Sequence, residues 1–167
     1  MRKKGEAGFS LVDGMLAAAI LGIGVLALTG MQAVSFSRNV DANELTRATS
    51  LATDMVERIQ FNRKIAPAGF TPGLTVYNGI NVSNANNCAI PAAQVMPSGD
   101  CTQWRALLLA SGLRNIQGQV QVQALNPTVL NQVSVAVQIS WTAIVGSGEG
   151  NRQINKTITM NTVVAPE

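Results

Sequence analysis

A chain of 167 residues is about one domain long, with abundant apolar residues, few aromatic ones and a formal charge of +3. Three of the basic residues, Arg2, Lys3 and Lys4, stand at the very start beside a single acid, Glu6, and without residues 1–8 the balance is nine basic against eight acidic side chains. So nearly neutral a body has no electrostatic footprint for nucleic acid. The chain has no histidine, which excludes histidine-based acid–base work, Ser-His-Asp and Cys-His arrangements and most zinc sites. No nucleophile–base set or metal cluster is visible, and no cofactor or metal site is expected.

The first element is an apolar block. From Gly14 to Ser37 no side chain is charged, and at about 1.5 Å per residue this stretch reaches about 36 Å as a helix, more than the roughly 30 Å of a bilayer's hydrocarbon core. Basic residues in front of it favour a cytoplasmic N-terminus, so the rest of the chain belongs on the far side. An oxidising compartment there suits the two cysteines, Cys88 and Cys101. They lack C-x-x-C spacing and a histidine to share a metal with, and a disulfide is preferred over two free buried thiols. The block reads in three ways: as a plain signal-anchor, as a secretory signal removed after an apolar run of about 7–15 residues, or as something specified by its leading edge. That edge is K-K-G-E-A-G-F-S-L-V-D-G-M-L, with Gly8 followed by Phe9 and a lone acid, Asp13, at the head of the apolar run. A carboxylate at the edge of a membrane span is costly, and such residues are usually functional.

Beyond the block the helical pattern turns amphipathic. Leu45, Ala48, Ala52, Met55, Val56 and Ile59 recur at steps of three and four and predict one apolar stripe, with Asp41, Glu44, Arg47, Asp54, Glu57 and Arg58 largely off it. Asp54 precedes Arg58 by four residues, the favourable acid-first order. One helix from about Phe9 to Asn62 is predicted, with Gly22, Gly24 and Gly30 as weak points. Residues 65–99 are rich in proline, glycine and asparagine and predict a long irregular connection. Asp100 and Gln103 have capping-box spacing, which predicts a helix from about Cys101 to Leu113 with Asp100 as its N-cap and Gly112 at its C-terminal end.

From Gly118 the period becomes two. Val120 and Val122 alternate with glutamines, and Val133, Val135, Val137, Ile139 and Trp141 share a face opposite Ser134, Gln138, Ser140 and Thr142. G-S-G-E-G-N reads as a turn, and Ile154, Ile158 and Met160 predict a last strand. This alternation predicts an antiparallel sheet with one apolar face, for which the helix stripe is the partner. Trp104 and Trp141 are read as core, and Asp54, Glu57 and Arg58 as a solvated helix face with local pairing.

The leading edge resembles the class III signal of type IV pilins and pseudopilins. The resemblance implies a leader of residues 1–8, a cut between Gly8 and Phe9 by a prepilin peptidase that also N-methylates Phe9, and retention of the apolar segment. It also implies that Asp13, where the family usually has glutamate, meets the amine of a neighbouring subunit during assembly. The implied fold class is α+β: a long N-terminal helix, its 9–37 half in the membrane or filament core and its 38–64 half amphipathic, packed on a small antiparallel sheet in a globular head of residues 65–167. Within that family A-T-D-M-V-E-R-I-Q-F-N-R, from Ala52 to Arg63, is similar to the A-x-D-M-x-E-R-[IM]-x-x-N-R stretch of PilV-type minor pilins. Asp100 and Trp104 resemble that group's D-x-x-x-W, and V-S-V-A-V-Q-I-S-W-T its V-x-V-x-W strand. S-G-L-R-N-I-Q-G departs from the group's leucine-proline-glycine-glycine turn.

The implied role is structural, not enzymatic. An inner-membrane protein with a periplasmic head would join other minor pilins and the major pilin in a pilus-priming tip complex that can carry an adhesin. The alternatives are a minor pseudopilin of type II secretion, which shares the signal and helix, and a DNA-binding competence pilin, which would need a basic, aromatic-lined patch.

Overall fold

The computed structural model describes residues 11–63, 74–91, 94–125, 132–147 and 150–165. Helix α1 spans Leu11–Asn62. Strand β1 is Ile80–Ser83, helix α2 Val95–Ala110, and strands β2, β3 and β4 are Arg114–Leu125, Gln132–Ser147 and Gly150–Val164. This is an α+β arrangement. The chain divides into two compact units, Met1–Val40 and Asp41–Glu167.

In the first unit alanine, leucine and isoleucine keep the backbone helical without a proline, and Gly22, Gly24 and Gly30 do not interrupt it. Nearly every described side chain there is exposed, large apolar ones such as Leu16, Ile20, Leu26 and Phe36 included. This part of α1 is long and apolar enough to cross a membrane.

In the second unit the sheet runs β1-β2-β3-β4, with every neighbouring pair antiparallel. Val120, Val122, Val133, Val135, Val137, Ile139 and Trp141 form its buried face, as the alternation predicts. Ala48, Ala52, Met55, Val56 and Ile59 of α1 join them in one core, together with Leu74, Tyr77, Trp104 and Leu108. Burying a side chain the size of Met55 or Ile59 stabilises by about 1.5–3 kcal/mol. Leu45 departs from the predicted stripe and is half exposed. It shares an i, i+4 row with Asp41, Thr49 and Thr53, at the flank of α1 that faces the margin of the sheet.

Three further expectations change. The irregular connection over 65–99 contains β1, four residues too short to display a period, and also the start of α2. That helix begins at Val95, not Cys101. Pro97 falls in its first turn, where a missing N–H costs nothing because those donors have no intrahelical acceptor. Asp100 is therefore interior to α2 and caps nothing. Ser111 closes α2, its Oγ accepting from the Leu113 N–H at 3.2 Å. Gly112 follows with φ of +75°, as its expected place at the helix end requires. Strand β2 begins at Arg114, four residues before the expected start, through a bulge between Arg114 and Gln117 at which Asn115 has φ of +50°. In G-S-G-E-G-N, Ser147 already pairs with Gly150, so only residues 148–149 connect β3 to β4.

Candidate functional site

Gly8 and Phe9 lie outside the described residues. Asp13 is in the first turn of α1 and exposed, an acid at the end of a helix where negative charge is favoured. Cys88 and Cys101 form the expected disulfide, with an S–S distance of 2.06 Å and a Cα–Cα distance of 5.9 Å. The bridge ties α2 to the asparagine-rich loop after β1. Arg105 holds the same loop: its Nε donates to the carbonyls of Ser83 at 3.1 Å and Asn86 at 3.0 Å, and its Nη2 to that of Asn84 at 3.3 Å.

Beside the disulfide lies a polar cluster drawn from three segments. Asp54, Arg58 and Asn62 stand four residues apart on one face of α1. Arg58 Nε donates to Asp54 Oδ2 at 2.8 Å, the local pair that the sequence predicts. Its Nη1, however, reaches α2, where it donates to Gln103 Oε1 at 2.8 Å and Asp100 Oδ1 at 3.4 Å. The other carboxylate oxygen of Asp100 accepts from Asn62 Nδ2 at 2.5 Å and from the Tyr77 hydroxyl at 2.6 Å. Asn62 Nδ2 also donates to Tyr77 Oη. Asn62 Oδ1 is buried without a hydrogen-bond partner. The expected N-cap is thus an acceptor for α1 and Tyr77. The expected solvated pair is half of a bridge between two helices, while Glu57 stays exposed.

The surroundings tune these groups. The hydrogen bond to Asp54 holds the Arg58 guanidinium above its ordinary range, against the opposing effect of partial burial. Burial pushes the Tyr77 phenol up first, and its hydrogen bond to the Asp100 carboxylate pushes it further. A neutral phenol that donates to a carboxylate and an arginine that stays charged are what a clasp needs. No group in the cluster is placed as an activated nucleophile.

More contacts fix α1 to the rest of its unit. Trp104 Nε1 donates to the Leu51 carbonyl at 2.8 Å, and Trp141 Nε1 to Glu44 Oε2 at 2.9 Å. Arg47 Nη1 donates to the Ser111 carbonyl at the end of α2 at 3.0 Å. Lys156 Nζ lies 2.8 Å from Asp41 Oδ1. Both tryptophans are core, as expected. The polar residues flanking the stripe are therefore a rim of long-range contacts around an apolar seam.

Asn62, Tyr77 and the reach of Gln103 were not legible in the sequence. The four-residue spacing from Asp54 through Arg58 to Asn62 was a signal that the row continues, and Tyr77 is the chain's single tyrosine. Among the described residues no group of three or more His, Cys, Asp and Glu side chains could hold a metal ion. No family model matches the chain, and neither a curated protein nor a solved structure does.

Proposed function

We propose that the chain is a minor pilin of the type IV pilus, PilV-type, acting as a structural subunit and not as an enzyme. The observation that carries the reading is the leading edge: basic residues, Gly8, Phe9 and then Asp13 as the lone acid at the head of a helix able to span a bilayer. Support comes from the clasp. The resemblance to the subfamily rests on separate stretches, and their residues touch in space: Asp54, Arg58 and Asn62 meet Asp100, and Trp104 bonds to Leu51 beside Ala52.

On this reading the apolar half of α1 anchors the protein in the inner membrane, with the head in the periplasm, until the prepilin peptidase and N-methyltransferase process Phe9. Assembly exchanges lipid for the helices of other minor pilins and the major pilin. Asp13 then pairs with a processed amino terminus, each charge offsetting the desolvation of the other. The priming complex so formed sits at the pilus tip, where it can carry an adhesin.

The test is the mass of the mature N-terminus together with Asp13→Ala. A methylated Phe9, and a variant that inserts in the membrane but is lost from sheared filaments, are expected. An uncut Met1, a cut beyond Ala33, or wild-type amounts of the variant in filaments overturns the reading.

A further inference from the structure

A reactive pair of residues stands where β1 begins. Tyr77 and Ile80 are buried, and Asn78 and Gly79 between them are exposed. The four form a turn, the Ile80 nitrogen donating to the Tyr77 carbonyl at 3.5 Å. Gly79 has φ of +81°, as the third position of a type II turn requires. Asn78–Gly79 is the only asparagine–glycine pair in the chain. With no β-carbon on Gly79, nothing of its own shields its nitrogen from the Asn78 side chain.

Such a pair reacts with itself and with water alone. The Gly79 nitrogen attacks Asn78 Cγ, the new N–Cγ bond forms, and the Cγ–Nδ2 bond breaks. Nδ2 leaves as ammonia, taking up the proton that the Gly79 nitrogen gives away. Water then opens the five-membered ring at one of its two carbonyls. Opening at Cγ gives aspartate with the backbone as before. Opening at the main-chain carbonyl gives isoaspartate, in which the chain runs through Cβ and Cγ and is one methylene longer.

The fold aims both reacting groups at β2 and not at each other. The Gly79 N–H donates to the Val120 carbonyl at 3.0 Å, and Asn78 Oδ1 accepts from the Val122 N–H at 3.0 Å. The Asn78 side chain thus carries the pairing one step beyond Ile80↔Val120, where the β1 ladder starts. Ring closure needs the first bond broken so that the nitrogen can lose its proton, and the second so that Cγ can swing towards it. Strand β1 has four residues and lies at the sheet edge. Short edge elements of this kind open locally without unfolding the rest.

We infer that Asn78–Gly79 is a modification site gated by β1. It is inert while both residues bond across to β2, and it converts to aspartate and isoaspartate when that end of the strand opens. The isoaspartyl product disturbs the clasp. Its added methylene lies between Tyr77, whose hydroxyl donates to Asp100 at 2.6 Å, and Ile80, which pairs with Val120. Both residues are buried, so a longer chain between them displaces one or the other. Aspartate at the same position keeps the chain length and an oxygen for the Val122 N–H.

The experiment holds the full chain in detergent micelles at mildly alkaline pH, once native and once unfolded in denaturant with the disulfide reduced. Conversion is followed by the mass of the peptide containing Asn78, which rises by about 1 Da, with aspartyl and isoaspartyl forms separated by chromatography. Conversion is expected at least about tenfold slower in the native protein. Hydrogen exchange of the Gly79 amide reads the same opening, and the two protection factors are expected to agree within about tenfold. Arg105→Ala removes the hold on Ser83 at the far end of β1 and is expected to lower the protection at least about threefold, with β3 exchange unchanged. Purified isoaspartyl protein is expected to show faster amide exchange from Ile59 to Asn62, and Asn78→Asp is not. No conversion in the unfolded chain, or native conversion as fast as unfolded, overturns the inference. So does a mismatch of the two protection factors, protection unaffected by Arg105→Ala, or an isoaspartyl form whose α1 end exchanges like the parent's. The comparison of Gly79 exchange with conversion decides the matter even where Arg105→Ala loosens the whole head.

Discussion

Gly118 of β2 lies directly under the indole of Trp104. A β-carbon at that position would come within 2.7 Å of both the Trp104 ring and Leu108 Cδ1. Alanine in place of a strand glycine ordinarily stabilises by about 0.5–1 kcal/mol, but here overpacking reverses the sign. Gly118→Ala is expected to destabilise the protein by about 1–3 kcal/mol in thermal or urea unfolding. Gly99, inside α2 with nothing within 4 Å of a built β-carbon, is the matched control. Gly99→Ala is expected to stabilise by up to about 1 kcal/mol.

Asp100 gathers the clasp, and its removal leaves Arg58, Asn62 and Tyr77 without their common acceptor. Asp100→Ala is expected to cost about 1–3 kcal/mol. Its more specific signature is faster amide exchange in the last turns of α1, around Ile59 to Asn62, with β3 unchanged. Equal loosening of β3 would mean that Asp100 acts on the whole core and not on the helix end.

Tyr77 makes stability depend on alkaline pH. Its phenol is an acid whose folded-state pKa is raised above the ordinary value of 10.0. Above that value the unfolded chain loses the proton while the folded chain keeps it. The contribution is thus complete below about pH 10 and declines as pH rises towards the folded value, by up to about 1.4 kcal/mol per pH unit. Tyr77→Phe is expected to remove this slope. Because the chain has one tyrosine, its phenolate absorbance follows the group directly, and titration in native protein at the ordinary value would contradict the assignment.

The disulfide joins positions 13 residues apart, and its loss is expected to cost about 3 kcal/mol through loop entropy restored to the unfolded chain. Replacing Cys88 and Cys101 together by serine, with unfolding followed in denaturant, measures it. Since Asp100 adjoins Cys101, exchange at the end of α1 should rise along with the loss of stability.

Periodicity identified those elements in which one face is buried over many turns or strands. The α1 stripe, the inner face of β3 and the last strand fall where the pattern places them. Leu45 follows the same pattern and is nevertheless half exposed, because periodicity identifies a face and not where its cover ends. The first residues of α2 were missed because proline reads as a breaker, although in a first turn it breaks nothing. Strand β1 was missed because four residues carry no period. Its place comes from pairing with β2, a contact across more than thirty positions of chain.

Legible in the sequence is whatever depends on neighbours within a turn or two, namely the membrane-length apolar helix, the Asp54–Arg58 pair and the alternation of the strands; the disulfide was legible for a different reason, since two cysteines 13 residues apart allow one pairing. What the tertiary structure decided is which distant groups meet. Asp100 has the local spacing of a cap and becomes the acceptor of a clasp because packing α2 against α1 brings Arg58, Asn62 and Tyr77 to it. Partial burial then makes that choice costly to undo, since Asn62 and Tyr77, themselves buried, would lose an acceptor that water replaces poorly.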